Sequence, residues 1–191
     1  MTSILLRLFV FGTLLGCRNN EDVRPDSFVK GRGEVSALQN GMQWTNTGTT
    51  GVFTRQVRAV TCAERRIGLV FYQFNRGGYQ RQLLSFGNVP RFVNQYSLTD
   101  KIASDCTPIN IYASFATVQD DGDVSKSTYS LDSTAENYLR VTVYDSINRR
   151  ISGVFKASFI KQARYVNDDP YRMTFENGQF STIVAEKGRF E

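Results

Sequence analysis

The sequence predicts an all-β protein, a single antiparallel β-sandwich or flattened barrel of about ten strands. Short segments that alternate polar and apolar residues recur along the chain, and turn-forming residues separate them at roughly 10–15-residue spacing. Helical periodicity is almost lacking, and only four prolines occur in 191 residues, so most strands can pair along their whole length. A lipocalin-like closed barrel is the alternative fold, since the same number of strands would build it.

The first strand pair is marked by a hairpin signal. Residues 34–38 alternate polar and apolar, and the Asn40-Gly41 dipeptide turns them into a return segment at 42–45. A second Asn-Gly dipeptide, at 177–178, predicts another hairpin near the end of the chain.

The remaining segments predict a regular succession of strands. They lie at 52–60, 67–74, 79–86, 92–98, 109–115, 139–144, 151–159, 171–175 and 180–184. The polar stretches 101–104 and 133–136 are the only helix candidates, each about one turn long.

The first seventeen residues have the layout of an export signal. Arg7 supplies a positive start, 8–15 is an apolar run, and Gly16 stands immediately before Cys17. Such a segment is too short to span a membrane and is typical of a cleaved secretory signal. The Leu-Leu-Gly-Cys ending resembles the lipobox of bacterial lipoproteins. That resemblance implies diacylation of Cys17, cleavage before it and acylation, as with palmitate, of its new amino group.

Three regions follow from this layout: a signal peptide at 1–16, the lipidated cysteine with a flexible tether at 17–31, and an antiparallel β domain at 32–191. The tether is polar and contains too few large apolar side chains to order itself. We expect an outer-membrane lipoprotein of a Gram-negative cell envelope. Glu21 and Asp22 resemble surface-export signals of some such lipoproteins, but a solvated linker is the favoured interpretation, and periplasmic and surface-facing orientations both stay open.

Cys62 and Cys106 are the two cysteines that remain once Cys17 carries lipid. In an exported protein we expect them to form one disulfide bond. That bond would close a loop of about 45 residues, a constraint worth on the order of 4 kcal/mol in the chain-entropy model. Two separate buried thiols are the alternative. Neither cysteine lies in a Cys-x-x-Cys spacing, which argues against a redox-active pair or a zinc site.

The charge of the chain is mildly basic. The formal net charge is +5, and removal of residues 1–16 takes away Arg7 and leaves +4. Acidic and basic residues are interspersed, and no run of five basic residues occurs, so nucleic acid is not an expected partner. The expected partner is the membrane, through the lipid on Cys17, with a weak attraction to an anionic envelope surface.

The chain contains no histidine, which excludes Ser-His-Asp and Cys-His catalysis and zinc sites built on imidazole. Carboxylates are what remain for catalysis, as in glycosidases, and nothing in the sequence pairs specific ones. We therefore predict neither an enzyme nor a cofactor.

The densest acidic cluster consists of Asp120, Asp121 and Asp123 around Gly122. Oxygen ligands at this density are weak candidates for a calcium site. The spacing fails the EF-hand pattern, because the sixth position from Asp121 is Lys126 rather than glycine. A solvated turn between two strands is the favoured interpretation. The segment at 167–170 is likewise interpreted first as a turn.

Several short motifs resemble those of a group of small bacterial lipoproteins of unknown function. They are the lipobox, the polar tether, an early hairpin at 40–44, an Ile-x-Gly-x-Phe strand at 151–155 and a closing segment at 177–180. The resemblance spans most of the mature chain and implies an all-β extracytoplasmic domain. It carries no catalytic or binding residue over to this chain.

Three kinds of function fit such a protein. The first is a non-enzymatic binding or structural role toward another envelope protein or a glycan, for which 14 Phe, 9 Tyr and 1 Trp would supply an exposed aromatic patch. The second is a lipocalin-like carrier, which needs an apolar internal cavity for a small ligand. The third and least favoured is glycan hydrolysis, which needs two carboxylates across a cleft.

Overall fold

The computed structural model describes residues 33–44, 50–57, 66–75, 79–101, 110–120, 122–162 and 168–184. The predicted lipidation site Cys17, the tether and the predicted disulfide partners Cys62 and Cys106 lie outside these residues. No helix in the described part of the chain is long and apolar enough to cross a membrane.

The described residues form eleven strands in a single sheet, which confirms the predicted all-β class. The strands are β1 (Gly33–Gln39), β2 (Met42–Gln43), β3 (Thr50–Val57), β4 (Arg66–Phe74), β5 (Gln80–Val89), β6 (Asn94–Thr99), β7 (Ile111–Val118), β8 (Ser125–Leu131), β9 (Tyr138–Asp145), β10 (Arg150–Lys161) and β11 (Arg172–Ile183).

The sheet folds back on itself into two layers, as in a sandwich or a flattened barrel. Its order is β2-β1-β11-β10-β9-β6-β7-β5-β4-β3, and β8 pairs with both β10 and β7. The layer β1-β11-β10 is thereby joined to the layer β7-β5-β4 by two routes, one through β8 and one through β9 and β6. All pairs are antiparallel except the short β6–β7 pair, where Leu98 faces Ile111.

Aromatic side chains fill the space between the two layers. Phe71 of β4 stacks on Phe155 of β10 with ring centroids 5.5 Å apart, and Phe115 of β7 meets Phe175 of β11 edge-on at 5.1 Å. The largest of these fully buried rings are Trp44, Phe71, Phe86, Phe115, Phe155, Phe159 and Phe175. Burying one such side chain contributes about 1.5–3 kcal/mol, so this cluster is the main source of stability.

The Asn40-Gly41 hairpin forms as predicted. Both residues have left-handed backbones, with φ of 48° and 80°, as a two-residue type I′ turn requires. The Asn40 side chain then reaches β11, where its Oδ1 accepts from the Thr174 N–H at 2.8 Å. The same hairpin places Trp44 inside the barrel, where Nε1 donates to Gln82 Oε1 at 2.6 Å. The hairpin therefore ties β1 to both layers.

The second Asn-Gly dipeptide does not form a hairpin, so that prediction is wrong. Residues 172–183 are one continuous strand in which Asn177 alone of the pair has a positive φ, 51°. Gly178 stays within the strand opposite Phe155 of β10. One left-handed residue produces a bulge instead of a turn. Register shifts on β10 and on β1 lie beside it.

Strand β8 has no counterpart among the predicted strands. Its sequence is dominated by serine and threonine, which lowered its apparent hydrophobicity. Ser127, Tyr129 and Leu131 nevertheless point inward at alternating positions. The helix candidate at 133–136 is part of a turn rather than a helix, since Ala135 N–H donates to the Asp132 carbonyl.

Candidate functional site: a polar groove on the outer face of the sheet

A groove of about 490 Å³ lies on the outer face of the sheet, across β1, β11, β10 and β9. Strand alternation decides which side chains line it. Val35, Gly153 and Phe180 point into the core, so their neighbours point outward. The outward-facing lining residues are Glu34, Ser36, Thr142, Ser152, Val154, Gln179 and Ser181.

The register arranges these side chains in two rows across the strands. Glu34 faces Ser181, which faces Ser152. In the next row, Ser36 faces Gln179, which faces Val154. We call these two rows and the space above them the polar groove.

A fixed hydrogen bond links the first row. Ser152 Oγ donates to Ser181 Oγ at 2.9 Å, and Thr142 Oγ1 lies 3.3 Å from the Ser152 carbonyl to which it donates. Ser152 pairs with Val143 and Gly153 with Val141, so Thr142 is the extra residue of a bulge on β9. Such bulges bend their strand and increase the local twist of a sheet.

An acidic side chain lines the groove, and a basic side chain lies beside a residue that lines it. Glu34 stands on β1, and the exposed Arg140 stands on β9 directly opposite Val154. Between them the groove offers hydroxyl and amide groups that both donate and accept hydrogen bonds. Glu34 is the one carboxylate among the described lining residues. The arrangement can hold a polar, neutral ligand, but it lacks the carboxylate pair that glycoside hydrolysis uses.

Most of the described aromatic residues are buried or half-buried, and Phe92 is exposed. Trp44, Tyr96 and Tyr129 are buried, and Tyr171 is the one described tyrosine that is exposed. Tyr171 lies immediately before β11 and does not line the polar groove. Among the described residues, no aromatic side chain faces outward into the polar groove.

The acidic cluster forms a turn between β7 and β8. Gln119 N–H donates to the Val124 carbonyl at 2.8 Å, and Gly122 has the positive φ, 80°, that the turn requires. Asp120 pairs with Arg81 at 2.5 Å, and Asp123 is exposed, whereas Asp121 lies outside the described residues. Across the described ranges, no three His, Cys, Asp or Glu side chains come together as metal ligands would.

Asp169, in the segment 167–170, is held by side chains of β7 and β8. Lys126 Nζ lies 2.8 Å from its Oδ1, and Thr117 Oγ1 donates to its Oδ2 at 2.6 Å. Burial raises the pKa of this carboxyl, but the hydrogen bonds from Lys126, Thr117 and Ser127 together lower the pKa by more than burial raises it. The pKa of Asp169 therefore lies below its ordinary value. The carboxylate anchors a loop to the barrel.

The low pKa of Asp169 predicts a pH-dependent contribution to stability. A carboxyl whose pKa is lower in the folded state stabilises the fold above its unfolded pKa of about 3.9. That contribution is lost as pH falls from about 5 through the folded pKa. The Asp169→Asn variant should have a lower free energy of unfolding than the wild type at pH 7. This difference between the two proteins should become smaller below about pH 4.

Urea unfolding followed by the fluorescence of Trp44, the single tryptophan, measures this gap. Asp168→Asn is the matched control because Asp168 is the exposed neighbour in the same loop. A gap between wild type and Asp169→Asn that stays constant with pH would contradict the account.

The two sequence-predicted site residues that the structure describes, Asp120 and Asp123, lie outside the polar groove. Cys17, Cys62, Cys106 and Asp121 lie outside the described residues, and Asp120 and Asp123 lie on the β7–β8 turn. The groove residues were missed because each is an ordinary outward polar position of an alternating strand. Comparison with protein-family models, with curated proteins and with solved structures finds no significant match to this chain.

Proposed function

We propose that this chain is a lipid-anchored protein of the bacterial cell envelope with a non-enzymatic binding role, and that its polar groove takes a glycan. The observation that carries the glycan part is the pair of polar rows across β1, β11 and β10. The anchor part depends on the N-terminal layout that ends in Gly16-Cys17.

Sugar hydroxyl groups each donate and accept hydrogen bonds, and the groove matches them with groups of the same kind. Ser36, Ser152 and Ser181 present hydroxyls, and Gln179 presents an amide that can bind a vicinal pair of oxygens. Neighbouring strands lie about 4.8 Å apart, so the groups form a regular ladder rather than an isolated point. An extended chain of sugar units suits such a ladder.

A protein partner suits the groove less well. Stable protein interfaces have an apolar core that excludes water. Val154 is the one apolar side chain among the outward-facing described residues of the groove. The surface is therefore better matched to a wet, hydrogen-bonded ligand.

The groove favours binding without catalysis. Glycosidases place two carboxyl groups on either side of the scissile bond, and Glu34 has no carboxylate facing it across the described groove. The serines have no imidazole to activate them, because the chain contains no histidine.

The carrier alternative receives no support from the interior. The rings of Phe71, Phe86 and Phe155 pack within 5.3–5.7 Å of one another, where a carrier would need space for its ligand.

A single groove without an aromatic platform binds a glycan weakly. Anchoring many copies on one membrane raises the apparent affinity for a long glycan by multivalency.

The proposal is tested by binding of purified peptidoglycan and of oligosaccharide released from lipopolysaccharide, as two separate glycan probes. Gln179→Ala removes one amide and should weaken binding about fivefold, the effect of about 1 kcal/mol of hydrogen bonding. Ser152→Arg fills the groove and should weaken binding at least about tenfold.

Ser125→Arg is the matched control, since it places the same side chain at an exposed serine on β8, outside the groove. If Ser152→Arg and Ser125→Arg weaken the binding of a probe equally, the groove has no role in binding that probe. Absence of binding to both probes by the wild-type protein would contradict the glycan proposal itself.

A further inference from the structure

The chain enters and leaves the described fold at the same end of the barrel. Gly33, the first residue of β1, pairs with Thr182 near the end of β11. Val184, just after β11, donates its N–H to the Arg149 carbonyl at 2.8 Å in the turn between β9 and β10. The predicted tether at 17–31 therefore precedes the strand end that lies beside this turn.

The β9–β10 turn is held in one shape by Asp145. Its Oδ1 accepts from the Ile147 and Asn148 N–H groups at 2.9 and 3.0 Å. Its Oδ2 accepts from Asn148 Nδ2 at 2.6 Å. The turn carries Ile147 at its tip, where 89% of the side chain is exposed.

Two arginines follow the exposed isoleucine. Arg149 and Arg150 are both exposed, and Arg149 has φ 54°, a conformation that favours glycine or asparagine. A long cationic side chain thus occupies a position where a small residue would be less strained.

Further apolar side chains extend this surface along the outer face. Ile183 pairs with Arg150, and Val143 pairs with Ser152 at the edge of the polar groove. Both are almost half exposed. We call Val143, Ile147, Arg149, Arg150 and Ile183 the tether-end patch. Exposed aliphatic groups beside arginines match the interface of an anionic bilayer, where acyl chains and phosphates lie close together.

We propose that the tether-end patch docks on the anionic lipid surface to which Cys17 is anchored, with Ile147 inserted among the headgroups and Arg149 and Arg150 on their phosphates. This proposal depends on the lipid anchor of the proposed function. It is favoured by the place where the tether meets the domain and by the charge of the patch. Docking would fix the orientation of the domain and present the polar groove just above the membrane surface.

The test uses the full mature lipoprotein reconstituted into vesicles of phosphatidylethanolamine and phosphatidylglycerol with brominated acyl chains, which quench tryptophan on contact. The variant is Ile147→Trp, and the buried Trp44 supplies only a constant background. Met42→Trp is the matched control, because Met42 is 73% exposed on the hairpin at the other end of β1. The two sites are separated by roughly 35 Å along the strands.

We expect bromolipid quenching to be at least about twofold stronger for Ile147→Trp than for Met42→Trp. Adding Arg149→Gly and Arg150→Gln, or replacing phosphatidylglycerol by phosphatidylcholine, should return the quenching toward that of the control, since each change removes the charge attraction. Glycine at position 149 adopts a positive φ without strain, so the Arg149→Gly substitution should preserve the turn, and loss of quenching cannot be ascribed to its unfolding.

Equal quenching of the two variants, with the protein still floating with the vesicles, would overturn the docking proposal and leave the anchor intact. Quenching that rises with protein density but not with phosphatidylglycerol would assign the patch to a second copy and would also overturn it. If the wild-type protein did not float with the vesicles, the lipid anchor of the proposed function would itself be wrong.

Discussion

We expect Gly178→Ala and Gly153→Ala to destabilise the domain by about 2–3 kcal/mol each, a fall in melting temperature of roughly 5–10 °C. Both glycines lie in the middle of strands, where alanine is ordinarily the better residue. A Cβ added at Gly178 would stand 2.6 Å from three ring atoms of Phe155. A Cβ added at Gly153 would meet the Arg140 carbonyl oxygen and, at 2.8 Å, the ring of Phe180.

These two clashes have one structural origin. Gly153 of β10 faces Phe180 of β11, and Gly178 of β11 faces Phe155 of β10, so each ring covers the glycine of the other strand. The rings cannot retreat, because Phe155 packs against Phe86 at 5.3 Å in a filled core. The reciprocal arrangement brings β10 and β11 close together beneath the polar groove.

Gly87→Ala is the matched control for these variants. Gly87 also lies in a strand opposite an aromatic residue, Tyr112, but a Cβ there would be 3.6 Å from the ring, an ordinary contact. We expect a change within about 0.5 kcal/mol. Thermal and urea unfolding of the three variants provide the comparison, and equal stability of all three would contradict the packing account.

A double-mutant cycle isolates the contact between Gly178 and Phe155. Phe155→Leu removes the ring that the new methyl group would meet, so the cost of Gly178→Ala should be at least about 1 kcal/mol smaller in the Phe155→Leu background. The Arg140 carbonyl is backbone, so no such relief is available for Gly153→Ala.

The other large effect is expected at the predicted lipidation site. Replacing Cys17 by serine removes the thiol that would carry the diacylglyceryl group, so the processed protein should lose its attachment to membranes. One acyl chain gives only marginal binding, whereas the three chains implied by the lipobox hold a protein almost irreversibly, because each buried CH₂ contributes about 0.8 kcal/mol. In detergent-phase partitioning, the detergent fraction should fall at least about tenfold.

Cys62→Ser is the control for that variant: it would break the expected disulfide with Cys106 but leaves the lipid on Cys17, so partitioning should stay unchanged. Processed Cys17→Ser protein that still enters the detergent phase like the wild type would contradict the anchor. Measuring the size of the chain alongside distinguishes processed protein from a precursor that retains residues 1–16.

Local patterns predicted the fold class because alternation is a property of single strands. The strands at 111–118 and 138–145 carry clear period-two patterns and were placed within a few residues. Strand β8 was missed because serine and threonine dominate its sequence and one of its three inward-facing residues, Ser127, is polar. The alternation becomes apparent only from the burial of Ser127, Tyr129 and Leu131. That strand pairs with both β7 and β10, so the sequence pattern could not predict how the barrel joins its two layers.

The two Asn-Gly dipeptides adopt different structures, although both carry the same local turn signal. At 40–41 the flanking residues pair with each other, and both turn residues adopt left-handed backbones. At 177–178 the flanking residues pair with β1 and β10 instead, and the ring of Phe155 covers Gly178. Tertiary partners thus override the same turn signal.

The polar groove could not be predicted from the sequence for a related reason. Ser36 lies more than one hundred residues before Ser152 and Gln179, and no local pattern tells that β1 lies beside β11. Only the sheet order converts these dispersed polar positions into two rows.

The most direct test of the account is the intact mass of the mature protein purified from membranes. We expect a chain that begins at Cys17 and carries the added mass of a diacylglyceryl group and an N-linked acyl chain. A mature chain that begins elsewhere, or an unmodified Cys17, would contradict the anchor, and with it the orientation proposed for the tether-end patch and the polar groove.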